Sequence, residues 1–359
     1  MDALREDAAL RRLKKPLSIL PGLVLVVAIA LAARLVHTKV PAPTGRLVGE
    51  VIFAVAFGLL VGNVFRIPEV MRPGIKFAFQ TLLRLAIVLL GATFSFGAAL
   101  SIGGRAIGMV VALMTLTLGT AFVLGRKLGV PPKLAALIGV GTAVCGNTAI
   151  SATAPVIGAR DEETAFAIAT NTLLGTLAVF AYPILGHAMG LSDAAFGTWA
   201  GTAVNDTSQV VATGFAYSET AGNVATVVKL TRNTLMGGVI LVMGLAFASG
   251  GTGKAGSLVE RLKQSVPIFV LGFLGMCLLN SLGGVAWASR ALGRDLVADA
   301  QFAAKLLILV ALAGVGVGTR LSAMRKIGLG PFGLGLATAL VASGTSLLLI
   351  RLLGAAAAR

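Results

Sequence analysis

Residues 141–150, GTAVCGNTAI, are polar and broken by glycine, although the chain on both sides of them is strongly apolar. A membrane offers no water to an exposed backbone. Every N–H and C=O group at that depth therefore needs a partner inside the protein or in a water-filled cavity. Such a stretch is not expected in a helix that faces lipid. The segment predicts an interrupted helix that faces a cavity inside a membrane protein.

The composition of the whole chain supports a membrane location. Of the 359 residues, 57% are hydrophobic and 12% are charged, and the mean hydropathy is +0.93. These values exclude an ordinary soluble domain. A helix needs about 20 apolar residues to cross the hydrocarbon. Runs of that kind are present, whereas the alternating pattern of a membrane β-barrel is absent. We predict an all-α polytopic membrane protein with about 9–11 transmembrane segments.

The apolar runs also predict the domain organisation. Two of them, 133–158 and 195–217, contain polar residues and glycine and predict broken or re-entrant helices. The chain divides into a cytoplasmic N-terminal segment 1–16, a single transmembrane domain 17–353 and a short tail 354–359. Uninterrupted runs predict spans near 17–36, 48–65, 76–98, 106–125, 164–188, 221–248, 266–284, 301–318 and 331–352.

The formal net charge of +16 is a topology signal rather than a nucleic-acid-binding patch. More than half of the 30 Lys and Arg residues lie in the N-terminal segment and in loops 66–76, 126–133, 254–263 and 320–326. All of these fall on one side when the spans are counted. Positively charged loops stay in the cytoplasm. We therefore expect a bacterial inner-membrane protein with a cytoplasmic N-terminus and with membrane lipids, not nucleic acid, at its surface.

The N-terminal run and the few sulfur and imidazole side chains exclude other classes. The first apolar run is long for a cleaved signal peptide, so we expect it to remain as a span. The chain has two cysteines and two histidines, without a CxxC pair. These are too few for a disulfide framework or a transition-metal cluster. We predict no metal site and no cofactor.

The opening stretch has a second copy further along the chain. GTAV at 141–144 recurs at 201–204, and NTLLG at 171–175 recurs as NTLMG at 233–237. The repeat units cover about 133–188 and 195–248, and each consists of an interrupted segment followed by one long helix. The two long helices are antiparallel only if the second interrupted segment re-enters. Its preceding loop lacks Lys and Arg, which favours that arrangement.

A weaker similarity joins Gln80 and Arg84 to Gln301 and Lys305, in two spans separated by an odd number of crossings. Those spans run in opposite directions, as inverted repeats require. We expect Arg84 and Lys305 to share a role in lining or locking the central site. Snorkelling of their side chains to the interface is the alternative.

Paired interrupted helices are a common way for a secondary transporter to hold its substrate. Their N-terminal ends present free N–H groups and a positive dipole to an anion. Thr148 or Ser151 is expected to cap the helix after the first break, and Asp206 or Thr207 the helix after the second. Small polar residues at a close helix contact are the structural alternative. The candidate binding positions in the two breaks are Thr142, Cys145, Gly146, Asn147, Thr148, Asn205, Thr207 and Gln209.

Three ionisable residues complete the candidate site. Lys229 and Arg232 are three residues apart and share one helix face, and Asp206 is the acid inside the second break. An ionised group within a membrane normally faces a cavity or a partner. The surplus of positive charge favours an anionic substrate bound by Lys229 and Arg232. Asp206 then either couples transport to a proton or to sodium, or pairs with those two cations.

Three stretches resemble the YeiH-type family of bacterial inner-membrane proteins, a family named for sulfate export. The matching positions include the pair Cys145-Gly146, the acid Asp206 before Gln-Val-Val, and the Val-Lys-Leu-Thr-Arg helix around Lys229. Asn205 stands where His is common in the family. The resemblance covers the chain from about residue 50 to its end. The stretches are GVGTAVCGNTAISATAPVIGA at 139–159, WAGTAVNDTSQVVATGFAYS at 199–218 and ATVVKLTRNTLM at 225–236.

The resemblance implies a fold and a mode of movement. The family is related to sodium–proton antiporters and bile-acid-type symporters, which implies inverted repeats and an elevator-like movement of a core against a scaffold. We expect a secondary transporter of a small anion such as sulfate, sulfite or an organosulfonate, and not an enzyme. An anion channel is the first alternative, and a membrane-embedded enzyme or sensor that uses Cys145 is the second. The glycine-rich helices are compatible with a homodimer.

Overall fold

The computed structural model describes residues 2–40, 49–247, 267–320, 322 and 328–357, and these residues form helices and no strands. The predicted all-α polytopic architecture is confirmed. The helices in chain order are α1 (Asp2–Lys39), α2 (Glu50–Val64), α3 (Glu69–Thr93), α4 (Phe96–Lys127), α5 (Pro132–Ala143), α6 (Asn147–Thr153), α7 (Asp161–Ala188), α8 (Asp193–Ala203), α9 (Thr207–Tyr217), α10 (Glu219–Phe247), α11 (Ile268–Ser281), α12 (Gly284–Leu292), α13 (Leu296–Gly318) and α14 (Leu329–Ala357).

Among the described residues, seven helices are long and apolar enough to cross a membrane, and the pair α11–α12, bent by 71°, provides an eighth. Helix α2 has 15 residues. At 1.5 Å per residue it extends about 22 Å, which is less than the hydrocarbon thickness of about 30 Å. Each uninterrupted run predicted from the sequence corresponds to one of these elements. The bend follows from Gly283, whose backbone has φ +76°.

The first interrupted segment is a re-entrant hairpin, hairpin 1, formed by α5 and α6. Its two ends lie close together, as the hydrogen bond from the Lys133 Nζ to the Gly158 carbonyl oxygen over 2.6 Å shows. Helix α6 then lies antiparallel to α7: Asn147 at the start of α6 contacts Thr172, while the end of hairpin 1 leads directly into Asp161. Hairpin 1 therefore enters and leaves on one side of the bundle.

The second interrupted segment is also a re-entrant hairpin, hairpin 2, formed by α8 and α9. The Tyr217 hydroxyl at its end donates to the Leu191 carbonyl at its beginning, and the Tyr217 and Phe196 rings stack 3.8 Å apart. Helix α8 runs in the direction of α10, whereas α9 runs against it, with Gly214 beside Gly222 and Thr207 beside Asn233. Since hairpin 2 returns to its own side, α7 and α10 are antiparallel, as the inverted repeat requires.

The helices form two layers. The scaffold layer consists of α1, α2, α3, α11 and α13, which pack mainly around one apolar cluster. Helices α2 and α13 approach closely at Gly58, where a Cβ would lie 2.4 Å from the Ala313 carbonyl oxygen. Small residues permit this contact between membrane helices. The hairpin layer consists of α4, α7, α10, α14 and both hairpins. The two hairpins enter it from opposite sides and meet inside it.

Candidate functional site

The tips of the two hairpins are in direct contact. Tip 1 comprises residues 143–147 and tip 2 comprises residues 203–207. Gly146 in tip 1 has φ +68°, and a Cβ at this position would lie 2.9 Å from both the Cα and the Oδ2 of Asp206. Only glycine accepts this backbone conformation and this proximity without strain. The internal repeat therefore builds one site from two halves.

Lys229 joins the two tips through their backbone. Its ammonium donates to the carbonyl oxygens of Val144 (2.9 Å), Val204 (3.0 Å) and Asn205, and the residue is 0% exposed. Val144 follows the C-terminus of α5, and Val204 follows the C-terminus of α8. The last carbonyls of a helix lack intrahelical partners and carry its negative dipole end. One buried cation therefore satisfies both helix ends.

Arg232 lies one turn further along α10, and its guanidinium also donates to backbone carbonyls of both hairpins. It donates to the Thr142 carbonyl over 2.5 Å and the Thr202 carbonyl over 2.6 Å, and also to the carbonyls of Ala143, Gly201 and Val204. The predicted shared face of Lys229 and Arg232 is thus present. In the described part of the chain, neither cation forms an ion pair with Asp206, so the pairing that was one of two alternatives for this acid is absent.

A cavity of about 390 Å³ lies between the hairpin tips and the scaffold layer. Its wall includes many of the residues predicted from the sequence. Six of the predicted residues do not line it, namely Thr142, Gly146, Asn205, Lys229, Arg232 and Lys305. The predicted residues that do line it are Arg84, Cys145, Asn147, Thr148, Asp206, Thr207 and Gln209. The further lining residues are Phe79, Gln80, Leu83, Ile87, Ile168, Thr172, Ser208, Asn233, Pro267, Phe269, Val315, Gly318 and Thr319.

The second arms of both hairpins begin at this cavity. Helix α9 is capped by Asp206, whose Oδ1 accepts from the Ser208 backbone N–H (3.0 Å) and hydroxyl (2.7 Å), as one of the two predicted caps. For α6 the prediction of Thr148 or Ser151 is wrong: Gly146 occupies the cap position, and both predicted residues lie inside the helix. The first turns of both arms line the cavity, with Asn147 and Thr148 of α6 and with Thr207 and Ser208 of α9.

Asparagines of the two long helices support the tips in equivalent ways. Asn171 of α7 donates to the Asn147 side chain over 2.9 Å in tip 1, and Asn233 of α10 contacts the Thr207 hydroxyl over 3.3 Å in tip 2. The site prediction did not include these two residues. The repeat that aligns NTLLG with NTLMG contained the signal that places them.

Arg84 and Lys305 have different surroundings despite their matching positions in the sequence. Arg84 lies on the scaffold side of the cavity, with its guanidinium carbon 5.9 Å from the centre of the Phe269 ring. That distance is within the range of a cation–π contact. Lys305 instead forms an ion pair with Glu219 over 2.6 Å, and Gln301 also donates to Glu219. A shared lining role is absent, whereas a contact between layers is present at Lys305.

Cys145 is buried in tip 1. Its Sγ lies 3.4 Å from the Met236 sulfur at the middle of α10. The thiol packs as a small apolar group in this position.

Comparison with known proteins agrees with the fold. Residues 21–335 match the family described as conserved hypothetical protein 698. The chain is 33% identical over 311 residues to a UPF0324 membrane protein of Agrobacterium fabrum, with 86% of each chain covered. It is 32% identical over 325 residues to one of Nitratidesulfovibrio vulgaris, with 87% of each covered.

A relative in Brucella melitensis, also described as a UPF0324 membrane protein, is 35% identical over 312 residues, covering 87% of this chain and 84% of its own. These matches cover most of the chain and show its family, which confirms the YeiH-type resemblance. The chain is a polytopic membrane protein and belongs to the conserved hypothetical protein 698 family, the UPF0324 membrane proteins.

Proposed function

We propose that this protein is a secondary transporter of a small anion across the bacterial inner membrane, with its N-terminus in the cytoplasm. The observation that carries the proposal is the meeting of two opposed re-entrant hairpins, whose second arms, α6 and α9, begin at one cavity. The positive ends of two helix dipoles and the hydroxyl groups of Thr148 and Thr207 suit an anion. Discontinuous helices that meet in this manner are typical of secondary transporters.

The charges around the cavity support an anionic substrate. Lys229 and Arg232 satisfy the C-terminal carbonyls of α5 and α8, so the negative dipole ends are compensated behind the tips. The positive ends of α6 and α9 lie at the cavity together with Arg84, and the Asp206 carboxylate caps α9 there. Lys229 and Arg232 thus act on the anion through the hairpins that they hold, rather than by touching it. Sulfate, sulfite and organosulfonates are anions of suitable size.

The position of the cavity supports alternating access. It lies between the tips and the parts of the scaffold that carry Phe79, Phe269 and Thr319. Near the middle of α13, Lys305 joins the scaffold layer to Glu219, the first residue of α10. Movement of the hairpin layer along the scaffold would open this cavity first to one side of the membrane and then to the other. Asp206, in contact with tip 1, is the group that couples this movement to an ion.

Flux measurements in proteoliposomes test the proposal. Purified full-length protein should take up radiolabelled sulfate or a competing sulfite or organosulfonate in a saturable manner. A hydrogen bond to a charged group contributes about 1.5–3 kcal/mol, so Thr148→Val and Thr207→Val should each lower uptake at low substrate by about 10- to 100-fold. Thr115→Val, on the exposed face of α4, is the control.

Two results would contradict the proposal. One is the absence of uptake for every anion in a panel that also contains phosphate and chloride. The other is a non-saturating current through single proteins in planar bilayers, which would assign the cavity to a channel.

A further inference from the structure

The two layers contribute opposite kinds of wall to the cavity. Of its lining residues from the hairpin layer, all but Cys145 and Ile168 carry an amide, hydroxyl or carboxyl side chain. Of those from the scaffold layer, all but Gln80, Arg84 and Thr319 lack a polar side chain. Among the described residues, the cavity is therefore polar towards the hairpin tips and apolar towards the scaffold.

Helix α3 contributes most of the apolar side. Phe79, Leu83 and Ile87 follow one another at intervals of four residues, so they lie along one face of the helix. At 1.5 Å per residue this stripe extends about 12 Å. The helix contains a π-helical turn at Ala78–Leu82, a rare distortion that occurs frequently at functional sites. The apolar wall, as we name it, consists of Phe79, Leu83, Ile87, Phe269 and Val315.

Two of the three polar side chains on the scaffold side already have a neighbour there. The Arg84 guanidinium carbon lies 5.9 Å from the centre of the Phe269 ring. The Thr319 hydroxyl donates to the Val315 carbonyl of its own helix over 2.8 Å. Most of the donors that an anion could use are therefore on the hairpin side of the cavity.

The size of the cavity exceeds what an inorganic oxyanion needs. A volume of 390 Å³ corresponds to about a dozen water molecules at roughly 30 Å³ each. Pockets for organic ligands usually measure about 300–1,000 Å³ and combine apolar walls with a few polar groups. Sulfate is polar on every side, so contact with the apolar wall would cost it hydrogen bonds. An anion with an apolar tail matches both sides of the cavity.

We propose that the transported anion is organic, with an oxyanion head group at the hairpin tips and a short alkyl or aryl tail against the apolar wall. This inference rests on the proposed transport function and names its substrate class. The head group meets the starts of α6 and α9, with Thr148 and Thr207. The tail displaces water from the apolar wall, which favours binding in proportion to the apolar area that is buried. The scaffold layer thereby determines specificity for the tail, and the hairpin layer determines specificity for the charge.

Thermal unfolding of the purified full-length protein in detergent measures binding without transport. A ligand that binds only the folded state raises the melting temperature in a saturable manner. Methane-, ethane-, propane- and butanesulfonate differ only in the length of the tail, and the matching alkanoates carry a carboxylate head. In at least one of these series, the half-saturating concentration should fall about three- to fourfold with each added methylene group. Butyltrimethylammonium carries the butyl tail on a cation and should not raise the melting temperature.

Two substitutions in the apolar wall separate the tail from the head group. Phe79→Ala removes a ring, whereas Val315→Thr keeps the branched shape and adds a hydroxyl. Each should raise the half-saturating concentration of the butyl anion at least about threefold and leave that of the shortest anion within about twofold. Thr207→Val, at the head group, should weaken the binding of both anions by a similar factor. Phe57→Ala in α2 and Val310→Thr in α13 are the matched controls, since neither residue lines the cavity.

Four results would decide against one proposal or the other. Equal half-saturation along both series would overturn the organic substrate, and so would equal stabilisation by butyltrimethylammonium. An unchanged dependence on tail length in both Phe79→Ala and Val315→Thr would remove the apolar wall from the site and overturn it as well. Saturable sulfate uptake by proteoliposomes, without any effect of tail length on binding, overturns this inference alone. Stabilisation that depends on tail length, without uptake of any anion, overturns the transport proposal and leaves the binding site.

Discussion

Asn171 and Asn233 are repeat-related, and each contacts the hairpin tip of its own repeat unit. Asn171 donates to Asn147 in tip 1, and Asn233 contacts Thr207 in tip 2. Both asparagines are buried, at 3% and 2% exposure. The two-fold character of the site therefore extends from the hairpins to the helices that follow them.

Removing either asparagine should weaken substrate binding. Asn171→Leu leaves the Asn147 oxygen without its donor, and Asn233→Leu leaves Thr207 without its contact. A hydrogen bond contributes about 0.5–1.5 kcal/mol, so the KM for anion uptake should rise about 2- to 10-fold. Asn280→Leu, which removes a bond to the Phe94 carbonyl in the scaffold layer, is the control and should leave KM unchanged. Equal KM values in all three variants would exclude this role.

Lys229 should contribute far more to stability than Lys305. Lys229→Met leaves three buried carbonyls without a donor, and each unsatisfied group costs roughly 1–3 kcal/mol. Lys305→Met breaks an ion pair whose side chains are 42% and 40% exposed, and such pairs contribute at most about 1 kcal/mol. Thermal unfolding in detergent should show a much larger fall in melting temperature for Lys229→Met. Similar falls for the two variants would contradict the buried clamp.

The ion pair between Glu219 and Lys305 should affect transport more than stability. It joins the hairpin layer to the scaffold layer, so the proposed movement of the layers requires it to break. Lys305→Glu places two acids together and should change the uptake rate severalfold, and the exchange Glu219→Lys with Lys305→Glu should restore it. Asp299→Asn breaks an exposed ion pair with Arg294 and serves as the control. Failure of the exchange to restore uptake would show that the charges do not act as a pair.

Gly146 should be intolerant of any side chain. Its φ is +68°, and a Cβ would meet the Asn171 amide nitrogen as well as Asp206 at 2.9 Å. Gly146→Ala should therefore lower the melting temperature and abolish uptake. Gly108→Ala, in the interior of α4 with no atom within 4 Å of the added carbon, should raise stability by about 1 kcal/mol. A Gly146→Ala protein with normal uptake would refute the close contact between the tips.

The helices were predictable from the sequence because long apolar runs have one stable form in hydrocarbon. The interrupted segments were predictable for the same reason, since their polar residues violate that pattern. The repeat and the unequal loop charges also indicated that hairpin 2 re-enters. The partners of Lys229 and Arg232 were not predictable, because these side chains bind backbone carbonyls, which every residue has. Pairing with Asp206 was one of two expectations. Both cations instead bind the carbonyls at the C-terminal ends of α5 and α8, which have no partners within their own helices.

The position of Lys305 illustrates a second limit of prediction from the sequence. Its counterpart Arg84 has a similar sequence context, and the similarity predicted a common role. Glu219 decides the difference, since it begins α10 beside α13 and attracts Lys305 away from the cavity. Which acid lies next to which cation depends on how the two layers pack, and sequence spacing does not encode that.

The clamp formed by Lys229 and Arg232 has a consequence for biosynthesis. Val144 precedes Lys229 by 85 residues, so hairpin 1 is made well before the cation that completes it. Its carbonyl ends lack this donor at membrane depth until α10 has been inserted. Hairpin 2 is made 25 residues before Lys229 and waits for the same helix. Insertion of α10 is therefore the step at which both halves of the site lock together, and a nascent chain truncated before it lacks the clamp that joins the two tips.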